Sequence, residues 1–173
     1  SYLHLYCLIV VLKSKLLGMT NKSCTKTLHD YLTNVEAWTH YETILFNNCM
    51  FLFPTEFIDV TISKTLHNLS MYSSLRSYGS ESFRMLINVL ILFIERKEFD
   101  KAAFILEKLY QNRLTDDSLF EKACLKFFEN AMLLATNEVN DVSECKKTIN
   151  IFRELGSDGL AVMFDQYLNK TLQ

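Results

Sequence analysis

Residues 80–95, SESFRMLINVLILFIE, place the tightest limit on what this chain can become. As a helix, the segment carries Phe83, Met85, Leu86, Ile87, Val89, Leu90, Ile91, Leu92, Phe93 and Ile94 on most of its sides, so other elements must cover it from several directions. The rest of the sequence offers helices for that purpose. Only 4 Gly and 1 Pro in 173 residues leave little material for a turn-rich β sandwich, while long stretches of Leu, Ile, Phe, Lys and Glu favour helix. With 49% hydrophobic residues, the chain can build a sizeable core without metal or disulfide support. The expectation is an all-α fold forming a single domain over residues 1–173.

The punctuation predicts eight or nine helices. A first helix over 2–17 stops at Gly18, a residue that readily takes the left-handed conformation closing a helix. Ser23 or Thr25 is the expected cap of a short segment holding Leu28, Tyr31 and Leu32; Asn34 is the expected cap of the next helix, and Pro54 ends that helix or starts another. From Thr55 the positions Phe57, Ile58, Ile62, Leu66, Leu69 and Leu75 recur at three and four residues up to Gly79, which is expected to close the segment. After the apolar helix comes a tight turn at 96–98, then helices over 99–113, 117–136, 142–155 and 158–172. The apolar run at the N-terminus is broken by His4, Lys13 and Lys15. It falls short of the ~20 residues a membrane span requires, so no membrane association is expected.

Two features point to a right-handed array of stacked helix pairs resembling tetratricopeptide repeats. An apolar helix, a three-residue turn and then FDKAAFILEKLY (99–110) follow one another, with small alanines that let paired helices approach. In addition, Asn48, Asn88 and Asn130 recur at about forty residues, the pitch of helix-pair repeats, each well inside the first helix of a pair. Asparagine is mildly unfavourable in a helix interior, so three in equivalent places want a reason. In such an array the first helices line a concave groove, where a side-chain amide offers a donor and an acceptor to the backbone of an extended peptide. Arg84 lies one turn before Asn88 and can grip a carboxylate of that peptide; a pair with Glu81 is the structural alternative.

Other functions find little support. A net charge of -2 gives no footprint for the phosphate backbone. The five cysteines (7, 24, 49, 124 and 145) are widely spaced and include no CxxC pair, which suits reduced, packed thiols in a cytoplasmic protein. His40 and Glu42 lack partners at catalytic spacing, HExxH is absent, and Asp116-Asp117-Ser118 reads as a helix cap rather than a metal motif. Neither an enzyme, a cofactor nor a metal is expected.

The stretch Trp38-Thr39-His40-Tyr41-Glu42-Thr43-Ile44-Leu45-Phe46-Asn47-Asn48 resembles the W-x-x-Y-E-x-x-L-F-x-N signature in the C-terminal domain of the Rgg/GadR/MutR transcriptional regulators of Gram-positive bacteria. Its aromatic and aliphatic residues, Trp38, Tyr41, Leu45 and Phe46, read as core. The resemblance implies a quorum-sensing domain that binds a short signalling peptide and forms a homodimer. It also implies that promoter DNA is met only through an N-terminal helix-turn-helix, which is absent from this chain. Peptide contacts are then expected from Asn48, Arg84, Asn88 and Asn130. Dimer contacts are expected from the C-terminal residues Ile149, Phe152, Leu155, Leu160, Val162, Met163, Phe164, Tyr167 and Leu168. The competing reading is a helical-repeat adaptor for another protein, with no transcriptional role.

Overall fold

A computed structural model describes the backbone of residues 2–36, 38–71, 76–111 and 114–172; side chains 64–71 and 76–82 lie outside the description. All regular structure among these residues is helical. In order come α1 (Tyr2–Leu16), α2 (Lys22–Asn34), α3 (His40–Cys49), a 3-10 turn (Met50–Leu52), α4 (Thr55–Met71), α5 (Arg76–Glu95), α6 (Phe99–Gln111), α7 (Leu119–Ala135), α8 (Ser143–Glu154) and α9 (Asp158–Thr171). The chain groups into two compact units, Ser1–Met85 and Leu86–Gln173, so the division falls within α5.

The first unit closes around aromatic residues. α1 packs against α2 and α3 and buries Cys7 and Val11, and Leu28 and Leu32 of α2 and Leu45 and Phe46 of α3 are buried as well. Phe46 stacks on Phe53 at 6.3 Å, and Trp38 meets the edge of Phe46 at 5.4 Å. The second unit is built from consecutive packings of α6 with α7, α7 with α8, and α8 with α9. Phe127 is its hub, 4.5 Å from Phe164 and 5.2 Å from Phe128, with Phe164 stacked on Phe152 at 5.1 Å. Each such side chain contributes about 1.5–3 kcal/mol on leaving water. Ala102 of α6 and Ala131 of α7 are completely buried. The apolar helix is covered as its composition demands: Phe83, Met85, Leu86, Ile87, Val89, Leu90, Phe93 and Ile94 are all buried.

Several helix ends follow one mechanism. Gly18 (φ 65°), Lys97 (φ 59°), Asn137 (φ 58°) and Gly156 (φ 70°) adopt the left-handed conformation just past α1, α5, α7 and α8. In each case the next residue's N–H donates back to a carbonyl five positions earlier, as from Glu98 to Phe93 (2.9 Å) and from Ser157 to Phe152 (2.8 Å). Other ends depart from expectation. The α2 cap is Asn21, whose side chain accepts from Cys24 N–H at 2.9 Å, rather than Ser23 or Thr25. Asn34 ends α2 instead of starting α3, its amide donating to Asp30 O at 2.7 Å. Gly79 does not close a helix but lies inside α5, where the missing side chain costs about 1 kcal/mol against alanine, a cost that cooperative propagation and tertiary packing override. Ser118 precedes α7 without a capping bond, because its hydroxyl is turned toward Thr115.

Candidate functional site

Helix α3 shows why the Trp38 stretch has its particular letters. Thr39 caps the helix, its hydroxyl accepting from Tyr41 N–H at 3.2 Å. The Glu42 carboxylate returns to accept from Thr39 N–H at 2.8 Å and from the Thr39 hydroxyl at 2.5 Å, completing a capping box. Its other oxygen accepts from the Tyr31 hydroxyl of α2 at 2.5 Å. Glu42 is only 5% exposed. Burial alone would raise its pKa, yet the bonds from Thr39 and Tyr31 outweigh that and hold the carboxyl below its ordinary range, while Tyr31 is pushed up to about 12. Glu42 is therefore a structural anion that ties α2 to α3. Of the expected core stripe, Leu45 and Phe46 are buried and Trp38 is half-buried. Tyr41 corrects the reading, remaining 38% exposed with its hydroxyl 3.3 Å from His4 Nδ1.

The three asparagines sit at matching positions on their helices. On α3, Ile44 is exposed, Leu45 and Phe46 are buried, Asn48 is exposed and Cys49 is buried. On α5 the same order runs Arg84 exposed, Met85 and Leu86 buried, Asn88 half-buried, Val89 buried. On α7 it runs Lys126 exposed, Phe127 and Phe128 buried, Asn130 half-buried, Ala131 buried. Positions four apart share a helix face, so each helix turns one such pair away from its core: Ile44 with Asn48, Arg84 with Asn88, Lys126 with Asn130. The amides of Asn48 and Asn130 each donate to the carbonyl one turn back, to Ile44 O at 2.8 Å and Lys126 O at 2.7 Å. One N–H and the oxygen of each amide stay available to a main-chain partner. Glu81, the alternative partner of Arg84, lies outside the described side chains. Lys126 escaped sequence reasoning because a lysine on a helix surface is unremarkable until burial shows that it shares a position with Arg84.

The C-terminal residues need sorting. Ile149, Phe152, Phe164 and Leu168 belong to the core of the second unit, whereas Leu155, Val162 and Met163 are 72%, 53% and 52% exposed, joined by Ile151 at 48%. Amphipathic periodicity cannot separate a helix's core face from an equally apolar outer one. Among the described residues lie a cavity of about 590 Å³ in the second unit and one of about 260 Å³ beside Trp38 in the first, and none of Asn48, Arg84, Asn88 or Asn130 lines either. Among the described residues no cluster of His, Cys, Asp or Glu could hold a metal ion, and no helix is long and apolar enough to cross a membrane.

Among the described residues, α3, α5 and α7 each carry an asparagine at the same position of the burial pattern, and α5 and α7 carry a cation four residues before it. A family profile described as "HTH-type transcriptional regulator Rgg, C-terminal domain" matches residues 3–166. The chain belongs to that family, whose members are transcriptional regulators and not a class of enzyme. The crystal structure of RopB is similar at 40% identity, over 98% of this chain and 76% of that one, with a TM-score of 0.77. RopB complexed with SIP is 41% identical over 96% and 74% of the two chains, with a TM-score of 0.49. The Streptococcus dysgalactiae SHP pheromone receptor Rgg2 shares the fold at 21% identity, over 88% of this chain and 57% of that one, with a TM-score of 0.72.

Proposed function

We propose that this chain is the peptide-sensing and dimerisation part of a cytoplasmic regulator, holding a short signalling peptide through Asn48, Arg84, Asn88 and Asn130. The carrying observation is the repeated burial pattern, which turns an asparagine to solvent at the same helical position on α3, α5 and α7. An amide so placed can pair with a peptide's main chain whatever its side chains, and the Arg84 guanidinium suits a carboxylate. Membership of the Rgg family and the description of the Rgg2 relative as a pheromone receptor support the same reading. Promoter DNA would be met by an N-terminal helix-turn-helix, and peptide binding would act by favouring one arrangement of a homodimer. The exposed residues Ile151, Leu155, Val162 and Met163 provide the apolar surface for the second copy.

Calorimetric titration with SIP and with SHP tests the reading. Asn88→Ala and Arg84→Ala should each weaken binding by about 1–3 kcal/mol, the loss expected for a desolvated polar partner. Unchanged affinity in both variants would remove these residues from the site. Sedimentation should give a dimer that Leu155→Glu converts to monomer; a monomeric wild-type mass across a broad concentration range would refute the dimer.

A further inference from the structure

The site carries a second cation. The burial order exposed, buried, buried, then a solvent-reaching asparagine four positions on is common to 84–89 and 126–131, and in both the exposed first position is a cation, Arg84 and Lys126. Its neighbours on α7 are already engaged. Lys122, one turn earlier, reaches Asp116 at 3.4 Å, and Glu129 accepts from the Tyr110 hydroxyl at 2.9 Å. Lys126 makes no ion pair within 4 Å among the described residues; it lies within electrostatic reach of Glu144 of α8, whose carboxylate is taken by Lys147 at 2.6 Å. The Lys126 backbone carbonyl receives the Asn130 amide at 2.7 Å, which fixes that amide beside the lysine stem. On α3 the corresponding position is Ile44, which is 45% exposed and apolar.

We propose that Lys126 and Asn130 form a carboxylate-binding subsite of the ligand surface, so that this chain selects a peptide with an acidic group at the part of it that meets α7. The inference rests on the peptide-sensing reading above. An ammonium is a compact point charge with rotatable donors, so it accepts a carboxylate from a peptide's terminus or from an acidic side chain, and the neighbouring amide supplies a further donor.

The test uses SIP and SHP, each as free acid and as C-terminal amide, titrated into wild type, Lys126→Gln and Lys122→Gln. Lys126→Gln should weaken at least one free-acid peptide about three- to tenfold, with the gap narrowing in high salt because exposed charge pairs are screened. Lys122→Gln, the control cation bound to Asp116, should change affinity by less than twofold. If amidation of the peptide abolishes the effect of Lys126→Gln, the terminal carboxylate is the partner; if the effect survives amidation, an acidic side chain is. Equal affinity of wild type and Lys126→Gln for peptides that bind overturns the subsite while leaving the peptide reading intact. Failure of wild type to bind either peptide overturns both. Circular dichroism of the variants, whose changed side chains are exposed, confirms that any loss is one of binding.

Discussion

Replacing Glu42 isolates what the signature glutamate contributes. The carboxylate is 5% exposed and accepts from Thr39 N–H, the Thr39 hydroxyl and the Tyr31 hydroxyl. A hydrogen bond to a charged group is worth about 1.5–3 kcal/mol net, and an orphaned buried donor costs about 1–3 kcal/mol. Glu42→Ala removes all three bonds and the capping box together. Because these effects overlap, the expected loss is about 3–4 kcal/mol, a large part of the ~5–15 kcal/mol that holds a typical domain folded. Glu42→Gln keeps the shape and one acceptor, so about 1–2 kcal/mol should go. The sign with pH follows from the lowered pKa. A carboxyl held below its ordinary 4.5 contributes stability that is fully present above that value and is lost as pH falls through the folded-state value. The gap between wild type and Glu42→Gln should therefore be widest near pH 7 and shrink from pH 5 downward. Trp38, the chain's one tryptophan, packs on Phe46 next to this site and reports its unfolding by fluorescence in urea. A glutamine variant with the wild-type midpoint at pH 7, or a gap that persists undiminished at pH 3, would refute the reasoning.

Two further outcomes test the fold. Gly156→Ala should destabilise by about 1 kcal/mol, since φ is +70° and a Cβ there meets nothing within 4 Å, leaving backbone strain as the cause; thermal unfolding against a Gly159→Ala control measures it. Phe127→Ala should cost about 3–5 kcal/mol, because it removes the ring that joins Phe128 and Phe164, and a denaturation midpoint within 1 kcal/mol of wild type would show that the hub can collapse around the loss.

Where the sequence was readable, one local interaction dominates. Gly18 and the turn at 96–98 close their helices as read, because the left-handed residue and its back-donated bonds lie within six positions. Asn34 misled because asparagine serves either helix end, and only the Thr39–Glu42 pairing shows which residue starts α3. Gly79 misled because its local penalty is smaller than what the rest of α5 contributes. The candidate asparagines were visible through spacing alone. The role of Lys126 was hidden, since only burial distinguishes one surface lysine from another, and the outer apolar patch at Leu155 was merged with the core beside it.

All five thiols are buried, and burial pushes Cys49 and Cys124 up to about 12 and Cys145 up to about 11. At neutral pH Cys49, Cys124 and Cys145 are protonated, and burial screens all five sulfurs from reagents, so a maleimide meets them only when helices separate. Cys7 and Cys24 record partings within the first unit, and Cys124 and Cys145 within the second. The chain thus carries its own set of clocks: mass-resolved labelling, with and without peptide, would time the breathing of each half of the molecule separately.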